Sequence, residues 1–287
     1  MKEEDRHPNA VLKIVKPTLL RAVGTKRARR GTLLVDSGSS LLPSQREKEE
    51  VVDVLFWSGG KDSYLSLLLL EQQYLSNKRE GRIVLLTTFE GSSPLGEITH
   101  QGLCCRDVMN QAKALGLDLL LVPLPDKNGQ GVSNISYKDT VVSALKVLQD
   151  EISTEVLKFD TTANLKMRLV FGDLHLADIR AWRESTFSGE GGHDCIFPAF
   201  NVDYKELQQI LWAASGSAST AEVQSIQISA WTGNFEDSST SSIASKGVTY
   251  DEQFVSSLPS NVDPMGEKGE FHTHVIFQQK QKSSQKH

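Results

Sequence analysis

The run Ser58-Gly59-Gly60-Lys61-Asp62-Ser63 holds residue types that suit an anion. Two adjacent glycines let a backbone approach a phosphate with no Cβ in the way. Ser58 and Ser63 bring hydroxyl donors, Lys61 a point charge, and Asp62 a carboxylate able to cap a helix or face a metal. The Walker spacing Gly-x-x-x-x-Gly-Lys-Ser/Thr is absent, and so is the dinucleotide pattern Gly-x-Gly-x-x-Gly at this turn.

Four further groupings carry candidate chemistry. Asp173 stands ahead of Arg180, Arg183 and Glu184, a carboxylate for phosphates or their magnesium with arginines for anionic charge; a helix cap and a solvated charged helix fit the same spacing. Glu267 and Glu270 flank Gly269, where two carboxylates can hold Mg²⁺, orient an amine or accept its proton, or form an acidic surface turn. His272 and His274 share a strand face with Glu270, either as zinc ligands or as unligated edge residues. His100 lies near Cys104 and Cys105, where the choice is between a reactive thiol and buried cysteine.

The elements that must position these residues alternate along the chain. Val51–Trp57 reads as a buried strand, and Tyr64–Glu71, free of Gly and Pro, as a helix. A strand, a Gly-Gly turn and a helix place unpaired amides at a helix N-terminus, which stabilises an anion. Ile83–Phe89, Leu119–Leu124 and Arg168–Asp173 read as further strands. Asp107–Leu115 (Val108, Ala112 and Leu115 inward, Gly116 the stop), Tyr137–Ile152 and Asp203–Ala214 carry helical spacing. This order predicts an α/β chain with a doubly wound, mainly parallel, Rossmann-like sheet, whose ligands sit outside the carboxyl ends of the strands. Ser58, Phe89 and Asp173 all fall at such ends. Downstream, Thr220–Trp231 and Phe271–Phe277 read as strands and Asp237–Ser245 as a loop. Thr249-x-x-Glu252 has the spacing of a capping box opening a helix through Ser257.

Composition bounds the function. The 287 residues are 39% hydrophobic and 23% charged with a net charge of -5, which gives no overall basic field for nucleic acid. No apolar run approaches the roughly 20 residues of a membrane helix. The three cysteines, Cys104, Cys105 and Cys195, make neither a disulfide framework nor a Cys-x-x-Cys pair, so a reducing, cytoplasmic setting is expected. Residues 1–50 form a basic arm, with no acid between Asp5 and Asp36, that reads as disordered. A transit peptide or an import patch at Lys26–Arg30 are the alternatives, and Glu3-Glu4-Asp5 counts against transit. The expected organisation is a phosphate-binding α/β domain over 51–190, a smaller α+β subdomain over 191–277, and a polar, disordered tail over 278–287.

The Ser58–Ser63 run resembles the SGG-x-DS loop of the PP-loop ATP pyrophosphatases. Phe171-Gly172-Asp173, Arg180-Ala181-Trp182-Arg183-Glu184, Phe197-Pro198 and the segment Asp263–Thr273 resemble the ordered motifs of the N-type family, whose named member is diphthine–ammonia ligase. His100 followed by Gln111-Ala112-Lys113-Ala114-Leu115-Gly116 is similar to another of its motifs. Met265 stands where the family often has Cys. The resemblance implies that Ser58, Gly59, Gly60, Lys61 and Ser63 bind the β and γ phosphates of ATP, with Asp62 acting through magnesium. It implies that main-chain groups near Thr88 and Phe89 meet adenine, and that Asp173, Glu184, Glu267 and Glu270 serve the substrate and ammonia side. The implied reaction is adenylation of a carboxylate, diphthine of elongation factor 2, followed by ammonia transfer. A non-catalytic nucleotide binder and an RNA-modifying PP-loop enzyme are the rival classes, the latter disfavoured by the charge balance and the lack of Cys-x-x-Cys.

Overall fold

The residues Val52, Val54, Leu55 and Trp57 alternate between two apolar layers, and this alternation places their strand at the centre of the molecule. The computed structural model describes residues 18–21, 49–77, 81–90, 96–98, 101–125, 133–157, 164–189, 192–214, 223–231 and 246–278. The strands are β1 (Thr18–Leu20), β2 (Glu49–Phe56), β3 (Arg82–Glu90), β4 (Glu97–Ile98), β5 (Leu103–Cys104), β6 (Asp118–Leu124), β7 (Asn164–Val170), β8 (Asp194–Ile196), β9 (Val223–Trp231) and β10 (Phe271–Phe277). The α-helices are α1 (Lys61–Ser76), α2 (Cys105–Leu115), α3 (Asn134–Leu157), α4 (Ala177–Arg183), α5 (Tyr204–Ala214) and α6 (Glu252–Ser257). A π-helical turn, Glu184–Gly189, continues α4.

Six strands form one sheet in the order β1-β6-β3-β2-β7-β8, in which all pairs but β1–β6 are parallel. The chain therefore builds outward from β2 through β3 to β6, then crosses back to β7 and β8 on the other side. That is the doubly wound order, and its reversal lies between β2 and β7. Leu65, Leu67 and Leu70 of α1 and Val108 and Ala112 of α2 cover one face, together with β9, β10, α5 and α6. Val141, Leu145, Leu148 and Ile152 of α3 cover the other, with Phe171 and Phe187. The α/β, mainly parallel architecture expected from the alternating pattern is thus present. Pro123, inside β6, lies beyond the short stretch Leu119–Leu121 that β1 pairs with, so its missing N–H leaves that edge pairing intact.

Three local expectations differ. The arm over residues 1–50 is not uniformly without structure, because Thr18–Leu20 adds an antiparallel edge strand and β2 begins at Glu49. Arg21 anchors that edge through Asp118 and Glu155, at 3.1 and 2.8 Å. The strand Asp194–Ile196 lies past residue 190 yet belongs to the large sheet. The cap of α6 is Asp251, whose carboxylate accepts from Phe254 N at 2.8 Å; Thr249 instead bridges Gln227. The expectations for His100, for Asp237–Ser245 and for the tail after Gln278 lie outside the described residues. Among the described residues no helix is long and apolar enough to cross a membrane.

Candidate functional site

The Ser58–Ser63 run occupies the bend from β2 into α1, at the carboxyl end of β2 and beside the point where strand order reverses. Gly60 is the N-cap of α1 and has no side chain to cap it, so the first-turn amides are left to tertiary partners or a ligand. Gly59 has φ +84, and a Cβ there would lie 2.8 Å from Gln111 Oε1 and 2.9 Å from Leu103 Cδ1. The bend is tied down from three sides. Gly59 O accepts from Val275 N (3.0 Å) and from Gln111 Nε2 (2.8 Å), while Lys61 N donates to Thr273 Oγ1 (2.9 Å). The Ser63 hydroxyl donates to Gly60 O at 3.0 Å and lies 3.4 Å from Ser58 Oγ, which accepts from Gly60 N at 3.3 Å. The two hydroxyls therefore line the inside of the turn.

The neighbouring carboxyl end, after β7, brings Phe171-Gly172-Asp173 against this turn. A Cβ on Gly172 would sit 3.0 Å from Asp62 C and 3.1 Å from Ser63 N, closing the space in front of the first helical turn. Asp173 is held by Arg183, whose Nη2 donates to Oδ1 at 3.2 Å and whose Nε lies 2.6 Å from Oδ2 without hydrogen-bond direction. The Arg183 guanidinium also stacks 4.5 Å from the centre of Phe171. Withdrawal from solvent pushes the Asp173 carboxyl up, Arg183 draws it back, and the Glu267 charge adds to the rise. Asp62 is also pushed up, first by desolvation, against the pull of Lys61, and then by the charges of Glu267 and Asp173. The Glu267 charge thus reaches both Asp62 and Asp173.

Lys61, expected among the phosphate ligands, is turned inward. Its side chain is 3% exposed, its Nζ donates to both oxygens of Asp62 (2.8 and 3.0 Å), and it lies 5.8 and 5.7 Å from the rings of Tyr250 and Phe271. The ammonium neutralises Asp62 from within the protein.

Glu267 is engaged by the backbone. Its Oε1 accepts from Leu174 N (2.9 Å), His175 N and Leu176 N (3.1 Å), and its Oε2 from the Tyr204 hydroxyl (3.1 Å). Three successive amides around one carboxylate oxygen form an anion nest, filled here by a side chain 91 to 93 residues away. Tyr204 also donates toward Asp263 Oδ2 at 3.1 Å, and burial, then the two carboxylates, raise its hydroxyl well above the ordinary phenol range. Glu270 Oε1 accepts from Asp263 N at 3.0 Å, and its buried Oε2 has no hydrogen-bond partner among the described residues. Glu184 is placed differently: it pairs with Arg180 Nε at 2.9 Å on the surface of α4, and Arg180 stacks over Phe197 and Phe200.

Thr88 and Phe89 end β3, which outruns β2: the pairing stops at Phe56 beside Leu86, and Trp57 N donates to Leu86 O. Main-chain groups alternate between strand edges, so Thr88, two residues on from Leu86, turns its N–H and C=O to the side β2 has vacated. Phe89 turns its own toward β6, and its ring is fully buried in the core. Of the expected pair, Thr88 addresses the crevice and Phe89 does not.

Gln111, Tyr204 and Tyr250 help build the candidate site, and sequence reasoning gave them no site role. Gln111 carried two legible signals, its place in the Gln-Ala-x-x-Leu-Gly run that resembles a family motif and an amide on the inward face of α2 between Val108 and Ala112. Met265, at the family's cysteine position, is fully buried, and its Sδ accepts from Tyr250 Oη at 3.1 Å. Cys105 is fully buried, which pushes its thiol up to about 12 and argues against a nucleophile there. Among the described residues no group of three or more His, Cys, Asp or Glu side chains is placed to hold a metal, so the His272 and His274 pair lacks the remaining ligands of a zinc centre.

No protein-family model matches the chain, and no curated protein matches it. Among solved structures it is similar to U34-tRNA thiolase NcsA from Methanococcus maripaludis with its 4Fe-4S cluster, at 16% identity and a TM-score of 0.31. The similarity covers 58% of this chain and 58% of that one, so the chain spans less than two thirds of its length. A similarity of that degree carries no argument about activity. The strand order and the crevice between β2 and β7 rest on this molecule alone.

Proposed function

We propose that the protein is an ATP-dependent ligase of the PP-loop type that splits ATP between the α and β phosphates to activate a carboxylate for attack by ammonia. The observation that carries this reading is the juxtaposition of the Ser58–Ser63 bend with Gly172 and Asp173 where the strand order reverses. Phosphates at this bend meet first-turn amides and the Ser58 and Ser63 hydroxyls, and the side-chain-free Gly172 lets the carboxyl end of β7 pack directly against the same turn. Adenine meets the main chain of Thr88, whose outer edge no strand covers after Leu86.

Three carboxylates, Asp62, Asp173 and Glu267, face two cations, Lys61 and Arg183, and two of the three are held above their ordinary range. The carboxylates of Asp62 and Asp173 offer hard oxygen ligands that suit magnesium, which they would hold and which would neutralise phosphate charge. Asp173 Oδ2, buried and without a directed hydrogen bond, supports the fit. In the reaction a substrate carboxylate oxygen bonds to the α phosphorus as the α–β bridging bond breaks and pyrophosphate leaves. Ammonia nitrogen then bonds to the acyl carbon, AMP departs, and the nitrogen sheds a proton. Diphthine of elongation factor 2 is the proposed acid, supported by the resemblance of the Asp263–Thr273 segment to the diphthine–ammonia ligases.

The test is AMP and pyrophosphate release from ATP with ammonium, with and without elongation factor 2 bearing diphthine. Wild-type protein is expected to form both products only in the presence of the acceptor. Asp62→Ala and Ser63→Ala proteins should lose that turnover by roughly 100-fold or more, as removal of groups that act on developing charge does. Unchanged turnover in either variant contradicts the proposal.

A further inference from the structure

We infer that Gln111 is the positioning residue that aims the phosphate-binding amides, an inference that deepens the proposed ATP reading and rests on it. Gln111 is 3% exposed, and its amide is satisfied on both sides. Its Oε1 accepts from Trp57 Nε1 at 2.7 Å, and its Nε2 donates to Gly59 O and to Val275 O, both at 2.8 Å. Because Trp57 can only donate and the two carbonyls can only accept, the orientation of the amide is fixed by its partners.

One consequence follows from peptide geometry. The chain has no cis peptide bonds among the described residues, so the Gly59 C=O and the Gly60 N–H point in opposite directions from one plane. Gln111 and Val275 N draw the carbonyl toward α2 and β10. The Gly60 N–H is thereby directed to the other side, where it meets Ser58 Oγ at a long 3.3 Å. That is the inside of the turn, where a phosphate oxygen is a stronger acceptor than a hydroxyl. Gly59 supplies the backbone freedom that this orientation needs, at φ +84, and its lack of a Cβ is what lets Gln111 come so close. Gln111 touches no nucleotide in this scheme; it acts through the Gly59–Gly60 peptide.

The role is separable from simple stabilisation. Gln111→Glu keeps the shape and removes both donors, leaving carboxylate oxygen against two carbonyls. Trp57→Phe removes the bond that locks the amide while leaving Gln111 in place, and serves if Gln111→Glu does not fold. A core variant on the opposite face, Leu145→Ala, provides a protein of lowered thermal stability with the bend untouched. Each is titrated calorimetrically with the magnesium salt of inorganic pyrophosphate, and the Gly60 amide is followed by ¹⁵N NMR of glycine-labelled protein. Gln111→Glu is expected to weaken pyrophosphate binding roughly 10- to 100-fold, the range for loss of one hydrogen bond to a charged group. Trp57→Phe should weaken it in the same direction by less, Leu145→Ala should leave it unchanged, and the Gly60 resonance should move in both Gln111→Glu and Trp57→Phe proteins before any ligand is added.

Wild-type affinity in Gln111→Glu or, where that variant does not fold, in Trp57→Phe overturns the inference and leaves the ATP reading standing. An equal loss in Leu145→Ala protein of matched thermal stability does the same. Failure of wild-type protein to bind pyrophosphate or ATP overturns both.

Discussion

Glu267 gathers three amides and a tyrosine hydroxyl on a side chain only 10% exposed, so its first role is to hold the segment Leu174–Leu176, and through it Asp173, at the crevice. Glu270, three residues on, accepts from one amide among the described residues, Asp263 N. Removing Glu267 leaves several amides without an acceptor, so Glu267→Ala should cost about 2–3 kcal/mol in urea unfolding, against about 1 kcal/mol for Glu270→Ala. Equal costs would show that the nest is not what anchors this segment. The residues of the bend were legible in the sequence because their chemistry is local: glycines, hydroxyls and charges adjoin in six positions. The Glu267 nest was not, because its partners lie more than ninety residues away and backbone amides leave no trace in a sequence. The same holds for Lys61, whose residue type announces a phosphate ligand while Tyr250 and Phe271, brought in by the fold, enclose its ammonium beside Asp62.

At the scale of elements, periodicity found the strands and helices that carry the site because each buries one side of a regular pattern. The cap of α6 shows where a local pattern misleads. Thr249-x-x-Glu252 has capping-box spacing, but Thr249 is drawn into a bridge with Gln227, and Asp251 takes over as cap. Asp251→Ala should therefore lower stability by about 1 kcal/mol in chemical unfolding. Thr249→Ala should have the smaller effect of an exposed side chain that caps no helix; the reverse order would restore Thr249 as the cap. The short edge strand β1 was hidden for a different reason, since three residues in a basic stretch give no period to read. They become a strand because β6 offers an open edge and Arg21 finds Asp118 and Glu155 beside it.

At the scale of the molecule, the large sheet and the β9–β10 pair meet at the bend. Strand β10 contributes Thr273 Oγ1 to Lys61 N and Val275 N to Gly59 O, while the turn before it sends Glu267 to the segment after β7. Parts far apart in sequence thus converge on six residues, which explains why the C-terminal region is needed to shape a loop that the N-terminal half supplies. The central claim is that nucleotide phosphates dock in this bend, against the first-turn amides of α1 and the Ser58 and Ser63 hydroxyls. It is tested most directly by a crystal structure of the protein with magnesium and an ATP analogue whose α–β bridge cannot be cleaved. The expected result is terminal phosphates against Ser58, Gly60 and Ser63 with adenine beside the main chain of Thr88. Phosphates bound elsewhere, or a bend that admits no nucleotide at saturating analogue, would contradict it.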